Sequence, residues 1–192
     1  MRNVLLQIMV TLDGYAAGPD GALDWIEVDD PELDAYLAEL LGGVDAQIFG
    51  RTSYELLAGY WPDAQRHPAT PGDAMLAPLV NALPKLVLSH RPDLELPWQP
   101  ARRIGADLPA EIAELKNGSG KPVVVFAGVR TAQEFLGLDA VDELRLLVFP
   151  VLLGGGRLLF EGVAPRRLRL RLVDSVAFRA SGVLLQTYRR AQ

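Results

Sequence analysis

The 192-residue chain has no cysteine, so neither a disulfide bond nor a thiolate metal site can form. Its two histidines, His67 and His90, cannot complete a zinc site without cysteine, and we therefore expect no bound metal. No stretch approaches the ~20 apolar residues that a membrane helix needs, and the N-terminus lacks the pattern of a signal peptide. A reducing cytoplasm is the location that these absences favour.

Positive charge is also scarce. The net charge of −5 argues against a nucleic-acid partner. One basic stretch, 166–172, alternates arginine with leucine and predicts a strand with arginines on one face. Solvent or a second copy of the chain explains that face better than DNA does.

Several common catalytic motifs are missing. No G-x-G-x-x-G follows the first predicted strand, and the run at 154–157 lacks the Lys-Ser/Thr pair of a P-loop. That run is either a glycine turn where the backbone passes close to a ligand or a plain loop after a strand. Ser89 and His90 cannot form a hydrolase pair easily, because adjacent residues of a strand point to opposite faces.

Apolar runs separated by helical patterns dominate what is present. Strands are predicted at 3–10, 46–50, 85–89, 122–127, 143–151, 168–174 and 183–189, with a weaker one near 101–104. Helices are predicted at 31–41, at 52–58, from Thr70-Pro71, at 108–117 and after Thr131, with a loop at 59–72 that covers a site. The order predicts one α/β domain over 1–192, with a mostly parallel sheet between helices and an antiparallel C-terminal edge.

Two segments repeat one pattern. Each is an apolar strand ending at glycine, followed by arginine and by threonine with glutamate three residues later, at 50–55 and at 128–134. The Thr-x-x-Glu spacing predicts a capping box at a helix start. Such a start attracts phosphate, and an arginine adds a charged fork for it. The two starts are predicted to hold both ends of one dinucleotide; the alternative is two ordinary turns with exposed arginines.

The 11–30 segment is predicted to be a long irregular loop of the kind that covers ligands. Asp13-Gly14 is typical of a turn. Trp25 either lines a pocket or fills the core. Asp30 precedes Pro31, where it is either a helix N-cap or a carboxylate for a heterocycle.

Together these residues resemble the dihydrofolate reductase fold, in the branch of the reductase domain of bacterial riboflavin biosynthesis. The resemblance is carried by the segments 11–14, 45–55, 88–89, 127–130 and 150–156. It is closest to small stand-alone members called deaminase-reductase-like proteins. The resemblance implies a three-layer α/β/α fold and NADPH as the cofactor. The cofactor-binding residues that it implies are Val10, Gly50, Arg51, Thr52, Ser53, Ser89, His90, Ala127, Gly128, Val129, Arg130, Gly154 and Gly155.

At the 127–130 turn the family typically has two glycines joined by a cis peptide, and Ala127 replaces the first of them. On the substrate side, Trp25 and Asp30 keep the spacing of the folate reductases, and Gln7 stands where riboflavin-pathway reductases carry lysine. The substrate-binding candidates are Gln7, Trp25 and Tyr54.

We therefore expect an NADPH-dependent reductase acting on a pyrimidine or pteridine, similar to 5-amino-6-ribosylaminouracil reductase or dihydrofolate reductase. Asp30, Asp13 or bound water would deliver the proton. One alternative is a module that binds a dinucleotide or flavin without turnover; another is a purely structural dimer. A homodimer is predicted from the apolar strand at 143–153.

Overall fold

The computed structural model describes residues 1–163 and 168–191. These residues form two compact units. The first contains Met1–Arg2 and Pro31–Phe126, and the second contains Asn3–Asp30 and the residues from Ala127 onward. A single domain over 1–192 stays a prediction.

Helices and strands alternate through most of the chain. The strands are β1 (Val4–Thr11), β2 (Tyr15–Ala17), β3 (Ala46–Gly50), β4 (Lys85–Leu88), β5 (Ala101–Ile104), β6 (Val123–Val125), β7 (Glu143–Phe149), β8 (Arg157–Leu158), β9 (Leu170–Ala177) and β10 (Leu184–Arg190). The α-helices are α1 (Pro31–Gly42), α2 (Arg51–Ala58), α3 (Trp61–Arg66), α4 (Pro71–Ala82), α5 (Leu108–Asn117) and α6 (Val129–Gly137).

Parallel strands build the sheet of the first unit. β3 pairs with β4 on one side and with β6 on the other, and β4 also pairs with β5. Gly50 stands opposite Leu88, and Leu88 stands opposite Ile104, so three neighbouring strands end at the same level. The residues that follow these strands therefore meet at one carboxyl edge, where open α/β sheets bind ligands.

The second unit combines parallel and antiparallel pairing. β1 and β7 are parallel, while β10 runs antiparallel to both β7 and β9. The prediction of an α/β fold with mostly parallel strands and an antiparallel C-terminal edge is confirmed. β7 is hydrogen-bonded to β1 on one side and to β10 on the other, so it has no free edge for a second copy. The apolar strand at 143–153 therefore does not support the predicted homodimer.

Local predictions failed in three places. The 59–72 loop contains α3, and the 11–30 loop contains β2 and a single 3₁₀ turn, Asp24–Ile26. The basic strand begins at Leu170, and Arg166 and Arg167 lie outside the described residues. None of the helices in residues 1–163 and 168–191 combines the length and the apolar character needed to cross a membrane.

A ring cluster forms the core of the first unit. Tyr54 is 1% exposed and packs against Trp98 and Phe49. Its hydroxyl accepts a hydrogen bond from Trp98 N at 2.8 Å and donates to Trp98 O at 3.2 Å. Burial raises the pKa of this hydroxyl. Tyr54 thus fixes the chain at Trp98, 44 residues away.

A buried lysine borders the same cluster. Lys85 is fully buried, donates to the Asn81 carbonyl oxygen at 2.6 Å, and lies 4.5 Å above the centre of the Trp98 ring. Burial lowers the pKa of Lys85 to about 8, because the charged form loses water. The Asn81 side chain in turn accepts from the Trp98 indole at 2.6 Å, so one asparagine joins the amine and the ring.

A buried glutamate fixes the start of β7 in the second unit. Glu143 accepts from Arg145 Nε at 2.7 Å and from Arg189 Nε at 2.9 Å. Burial favours the neutral carboxyl, but these hydrogen bonds outweigh it and hold the pKa of Glu143 below its ordinary value. The carboxylate therefore links β7 to β10 in its charged form.

Replacing Tyr54 by phenylalanine should destabilise the protein by about 1–3 kcal/mol, because two buried backbone groups of Trp98 lose their partner. Urea unfolding measures the change. Tyr188→Phe is the matched control, since within residues 1–163 and 168–191 the Tyr188 hydroxyl bonds only to the Gln186 side chain, at 3.2 Å; it should cost less than about 1 kcal/mol. Equal losses in both variants would contradict an anchoring role for Tyr54.

Candidate functional site

Two helices begin directly at a glycine. Gly50 is the N-cap of α2 and Gly128 is the N-cap of α6, both with extended backbone and without a side-chain cap. Neither first turn contains an acidic residue. The predicted capping boxes are wrong, because each helix starts before its threonine and so places Thr52 and Thr131 inside the first turn.

Glu55 instead pairs with Arg51. Arg51 Nη1 lies 2.9 Å from Glu55 Oε1 and 2.7 Å from Oε2, one helical turn away. The arginine side chain is 35% exposed and the glutamate 47%, and an exposed pair at this spacing contributes only about 0.3–0.5 kcal/mol. Glu55 therefore holds the guanidinium only weakly.

The turn after β4 lies beside this helix start at the carboxyl edge of the first unit. Ser89 is buried, and its hydroxyl oxygen accepts from Arg91 N at 3.1 Å. His90 Nδ1 lies 3.2 Å from the Gly105 carbonyl oxygen. The structure thus brings the predicted residues Gly50, Ser89 and His90 to one edge.

Arg103 was missed by the sequence reasoning. It lies on β5 and donates from Nη1 to the Ser89 carbonyl oxygen at 3.1 Å. With Arg51 and the exposed Arg91 it gives this edge three arginines. The only signal in the sequence was the Arg102-Arg103 pair in the weakest predicted strand, and nothing there indicated which arginine faces Ser89.

The start of α6 belongs to the second unit. Val129 is buried, whereas Arg130 beside it is exposed. Gln133 anchors this helix by donating from Nε2 to the carbonyl oxygens of Leu159 and Glu161, at 3.2 and 2.8 Å. The Ala127–Gly128 peptide is trans: among the described residues only Gln99–Pro100 is cis.

Asp13 connects the loop after β1 to the glycine turn at 154–156. Its Oδ1 accepts from Thr11 Oγ1 at 2.6 Å, and its Oδ2 accepts from Gly154 N at 2.8 Å. Leu153 N adds a longer contact at 3.3 Å. Because β1 and β7 end side by side, this carboxylate ties the loop after β1 to the glycine turn after β7.

The glycine turn has a close backbone approach at one position. Gly156 has φ 129°, and a Cβ there would collide with the Ala17 carbonyl oxygen. Gly154 and Gly155 face open space. The amide of Gly154 donates a hydrogen bond to Asp13, and the backbone of Gly154 and Gly155 borders open space. Both interpretations of this run, a turn close to a ligand and a plain loop, are compatible with these contacts.

The two predicted proton donors are both engaged. The hydrogen bond from Thr11, then that from Gly154, lowers the pKa of Asp13, which makes it a poor acid at neutral pH. Asp30 is 1% exposed, and its Oδ2 accepts from Ser181 N at 2.9 Å and from Ser181 Oγ at 2.7 Å. Asp30 therefore positions the turn between β9 and β10.

The remaining candidates differ in accessibility. Trp25 is partly exposed and packs edge-on against Phe149, with 5.4 Å between ring centres. Gln7 and Val10 are buried within β1. Tyr54 lies in the core with its hydroxyl occupied, so its placement argues against the predicted substrate contact. Within the described residues no group of three or more histidine, aspartate or glutamate side chains could hold a metal.

Asp13→Asn should loosen the glycine turn, because the amide NH₂ would face backbone donors. We expect amide hydrogen exchange at Leu153 and Gly154 to speed up at least about tenfold. Since the folded pKa of Asp13 lies below its ordinary value, the tether is complete at neutral pH and is lost as the pH falls through that lowered value. Asp20→Asn, in an exposed turn, is the control. Unchanged exchange in Asp13→Asn would show that the backbone alone holds the turn.

Comparison with known proteins gives consistent matches. The Bacillus subtilis protein YyaP is 34% identical over 187 residues, which cover 97% of this chain and 94% of YyaP. A crystal structure of a Shewanella sp. PV-4 protein assigned to riboflavin biosynthesis matches with a TM-score of 0.73 and 25% identity, over 99% of both chains. Dihydrofolate reductase from Enterococcus faecalis, complexed with NADP(H), matches in fold with a TM-score of 0.64 and 15% identity, over 99% of this chain and 97% of that one.

These matches confirm the predicted dihydrofolate reductase-like fold. The family model of the RibD C-terminal domain matches residues 2–184, nearly the whole chain. The protein belongs to the RibD C-terminal domain family.

Proposed function

We propose that this protein is an NADPH-dependent reductase that transfers a hydride to a small nitrogen heterocycle of the pyrimidine or pteridine type. Membership of the RibD C-terminal family supports a reductase. The similar Enterococcus enzyme was solved with NADP(H), which supports the choice of cofactor. A cytoplasmic location stays a prediction.

The observation that carries the proposal is the arginine-rich carboxyl edge of the first unit. α2 begins there without an acidic residue in its first turn, and Arg51 has only a weak partner in Glu55. A phosphate dianion takes paired hydrogen bonds from a guanidinium and is favoured at a helix start. These donors fit the adenosine 2′-phosphate of NADPH, so we assign Arg51, Thr52 and Ser53 to it. Ser89 and His90 would contact the adenosine.

In the second unit the start of α6 offers a similar donor set. The glycine N-cap and the exposed Arg130 suit a pyrophosphate. We assign this role to Ala127, Gly128, Val129 and Arg130. That both helix starts hold one dinucleotide stays a prediction.

The ends of β1 and β7 would surround the nicotinamide. We assign the backbone of Val10, Gly154 and Gly155 to this end, with the Asp13 tether keeping the two loops together. When bound, NADPH supplies the hydride; the chain orients the ring and excludes water. Gln7 and Trp25 remain the candidates for substrate contact, and Asp30 or water for the proton.

A second candidate function is a dinucleotide- or flavin-binding module without turnover. It is favoured by the engagement of Asp13 and the burial of Tyr54, which leave few titratable groups for chemistry. This module would keep the phosphate contacts and lack the reaction.

Arg51→Ala should weaken NADPH about 10- to 100-fold, because one charge-assisted contact to the 2′-phosphate contributes about 1.5–3 kcal/mol. NADH lacks that phosphate and should lose less than about threefold. Calorimetric titration measures both constants. Arg102→Ala is the matched control, since this exposed arginine borders a cleft at the amino edge of β4 and β5. Equal losses for NADPH and NADH would remove the 2′-phosphate assignment.

Turnover separates the two candidate functions. The wild-type protein should oxidise NADPH when dihydrofolate or 5-amino-6-ribosylaminouracil is added. The fall in NADPH absorbance measures this oxidation. Loss of turnover in Asp30→Asn with unchanged NADPH affinity would support proton delivery through Asp30. Tight NADPH or flavin binding without oxidation on either substrate would favour the binding module.

A further inference from the structure

A two-stranded sheet carries the glycine turn of the second unit. β2 has three residues and β8 has two, and they pair antiparallel with each other. Leu159 N extends this pairing by donating to the Gly14 carbonyl oxygen at 3.2 Å. We call the segments 14–17 and 154–161 together the small sheet. A two-stranded ribbon is only marginally stable in water by itself, so the position of the small sheet depends on side chains that anchor it.

Gln133 is one of these anchors, and it lies on α6. Its Nε2 is 3.3, 3.2 and 2.8 Å from the carbonyl oxygens of Leu158, Leu159 and Glu161. Carbonyl oxygens only accept hydrogen bonds, so the NH₂ group of the glutamine must face them. The Leu159 side chain is fully buried and anchors the same turn. Gln133 and Leu159 therefore hold the end of the small sheet that follows the glycine turn.

The helix that carries Gln133 begins at the proposed pyrophosphate site. Arg130 and Gln133 are three residues apart on α6, so they share one helix face and lie about 4.5 Å apart along its axis. Val129 and Phe135 are buried and fix the helix itself. The Gln133 hydrogen bonds thus set the separation between the start of α6 and the small sheet.

We propose that Gln133 is a positioning residue for hydride transfer. It holds Gly154 and Gly155 at a fixed distance from the helix start that binds the pyrophosphate. The nicotinamide ring then enters a site that is already ordered, which lowers the ordering cost of binding the ring. The inference rests on the proposed function and adds one specific consequence: the nicotinamide half of NADPH needs Gln133, and the phosphate half does not.

A fragment of the cofactor separates the two halves. 2′-Phospho-ADP-ribose carries the 2′-phosphate and the pyrophosphate of NADPH and lacks the nicotinamide. Gln133→Glu places a carboxylate against three carbonyl oxygens, and Gln133→Met keeps the length of the side chain without a donor. In both variants NADPH should bind at least about tenfold more weakly, whereas the fragment should lose less than about twofold. Calorimetric titration measures both ligands on each protein.

Amide exchange gives a second readout that needs no ligand. In both variants the amide of Leu159 should exchange at least about tenfold faster than in wild type, because the small sheet opens more often. A variant that is merely less stable as a whole would lose affinity for NADPH and for the fragment by the same factor. The difference between the two ligands therefore distinguishes positioning from a general structural role.

Gln99→Glu is the matched control. Gln99 also donates from Nε2 to a carbonyl oxygen, that of Leu96 at 2.7 Å, but it lies beside the amino end of β5 in the first unit. This variant should leave both affinities unchanged. Equal losses of NADPH and fragment in the Gln133 variants, or no loss of either, would overturn the positioning role and leave the proposed function intact. If the wild-type protein binds neither ligand, the proposed function fails and this inference fails with it.

Discussion

Parallel pairing of strands is the constraint on which both candidate regions depend. In each unit it brings the carboxyl ends of neighbouring strands to the same edge. Residues far apart in sequence, such as Arg51, Ser89 and Gly105, become neighbours because their strands end at one level. The same constraint places the loop after β1 next to the loop after β7 in the second unit.

Asp13 holds the loop after β1 and the loop after β7 in a defined arrangement. Loops at strand ends are mobile unless side chains fix them, because their backbone groups otherwise bond to water. A charged acceptor bonds backbone amides more strongly than a neutral one does, and the lowered pKa of Asp13 keeps it charged. The Thr-Leu-Asp-Gly segment and the glycine run are therefore two halves of one feature. A ligand beside Gly154 would meet a preformed wall.

The strands and most helices could be predicted because buried apolar runs and glycine or proline boundaries are local signals. β3 and α5 match their predicted bounds, and β4 differs by one residue. The starts of α2 at Arg51 and of α6 at Val129 were predicted too late in the sequence. The Thr-x-x-Glu spacing was interpreted as a capping box, whereas a glycine is the N-cap of each helix. Glu55 accepts from Arg51, one helical turn away, instead of from a backbone amide as in a capping box.

Contacts across long separations could not be predicted. Tyr54 followed a phosphate-binding pattern but lies on the buried side of α2, where Trp98 supplies its partners from 44 residues away. Asp13 was one of three candidates for proton delivery, beside Asp30 and bound water. Its partners are Leu153 and Gly154, about 140 residues later, and only the register of β1 with β7 brings them near. Helical and strand periodicity shows which face is apolar and cannot show what that face meets.

The edge strand β9 is a further case in which sequence periodicity alone was not sufficient. Its arginine and leucine alternation indicated a strand with one charged face, which either solvent or a second copy could explain. The inserted Val173 changes the alternation, so that Arg171 and Asp174 lie on one face although they are an odd number of residues apart. Regular alternation would have separated these charges on the two faces. A one-residue bulge therefore determines which side chains of this edge strand share a face.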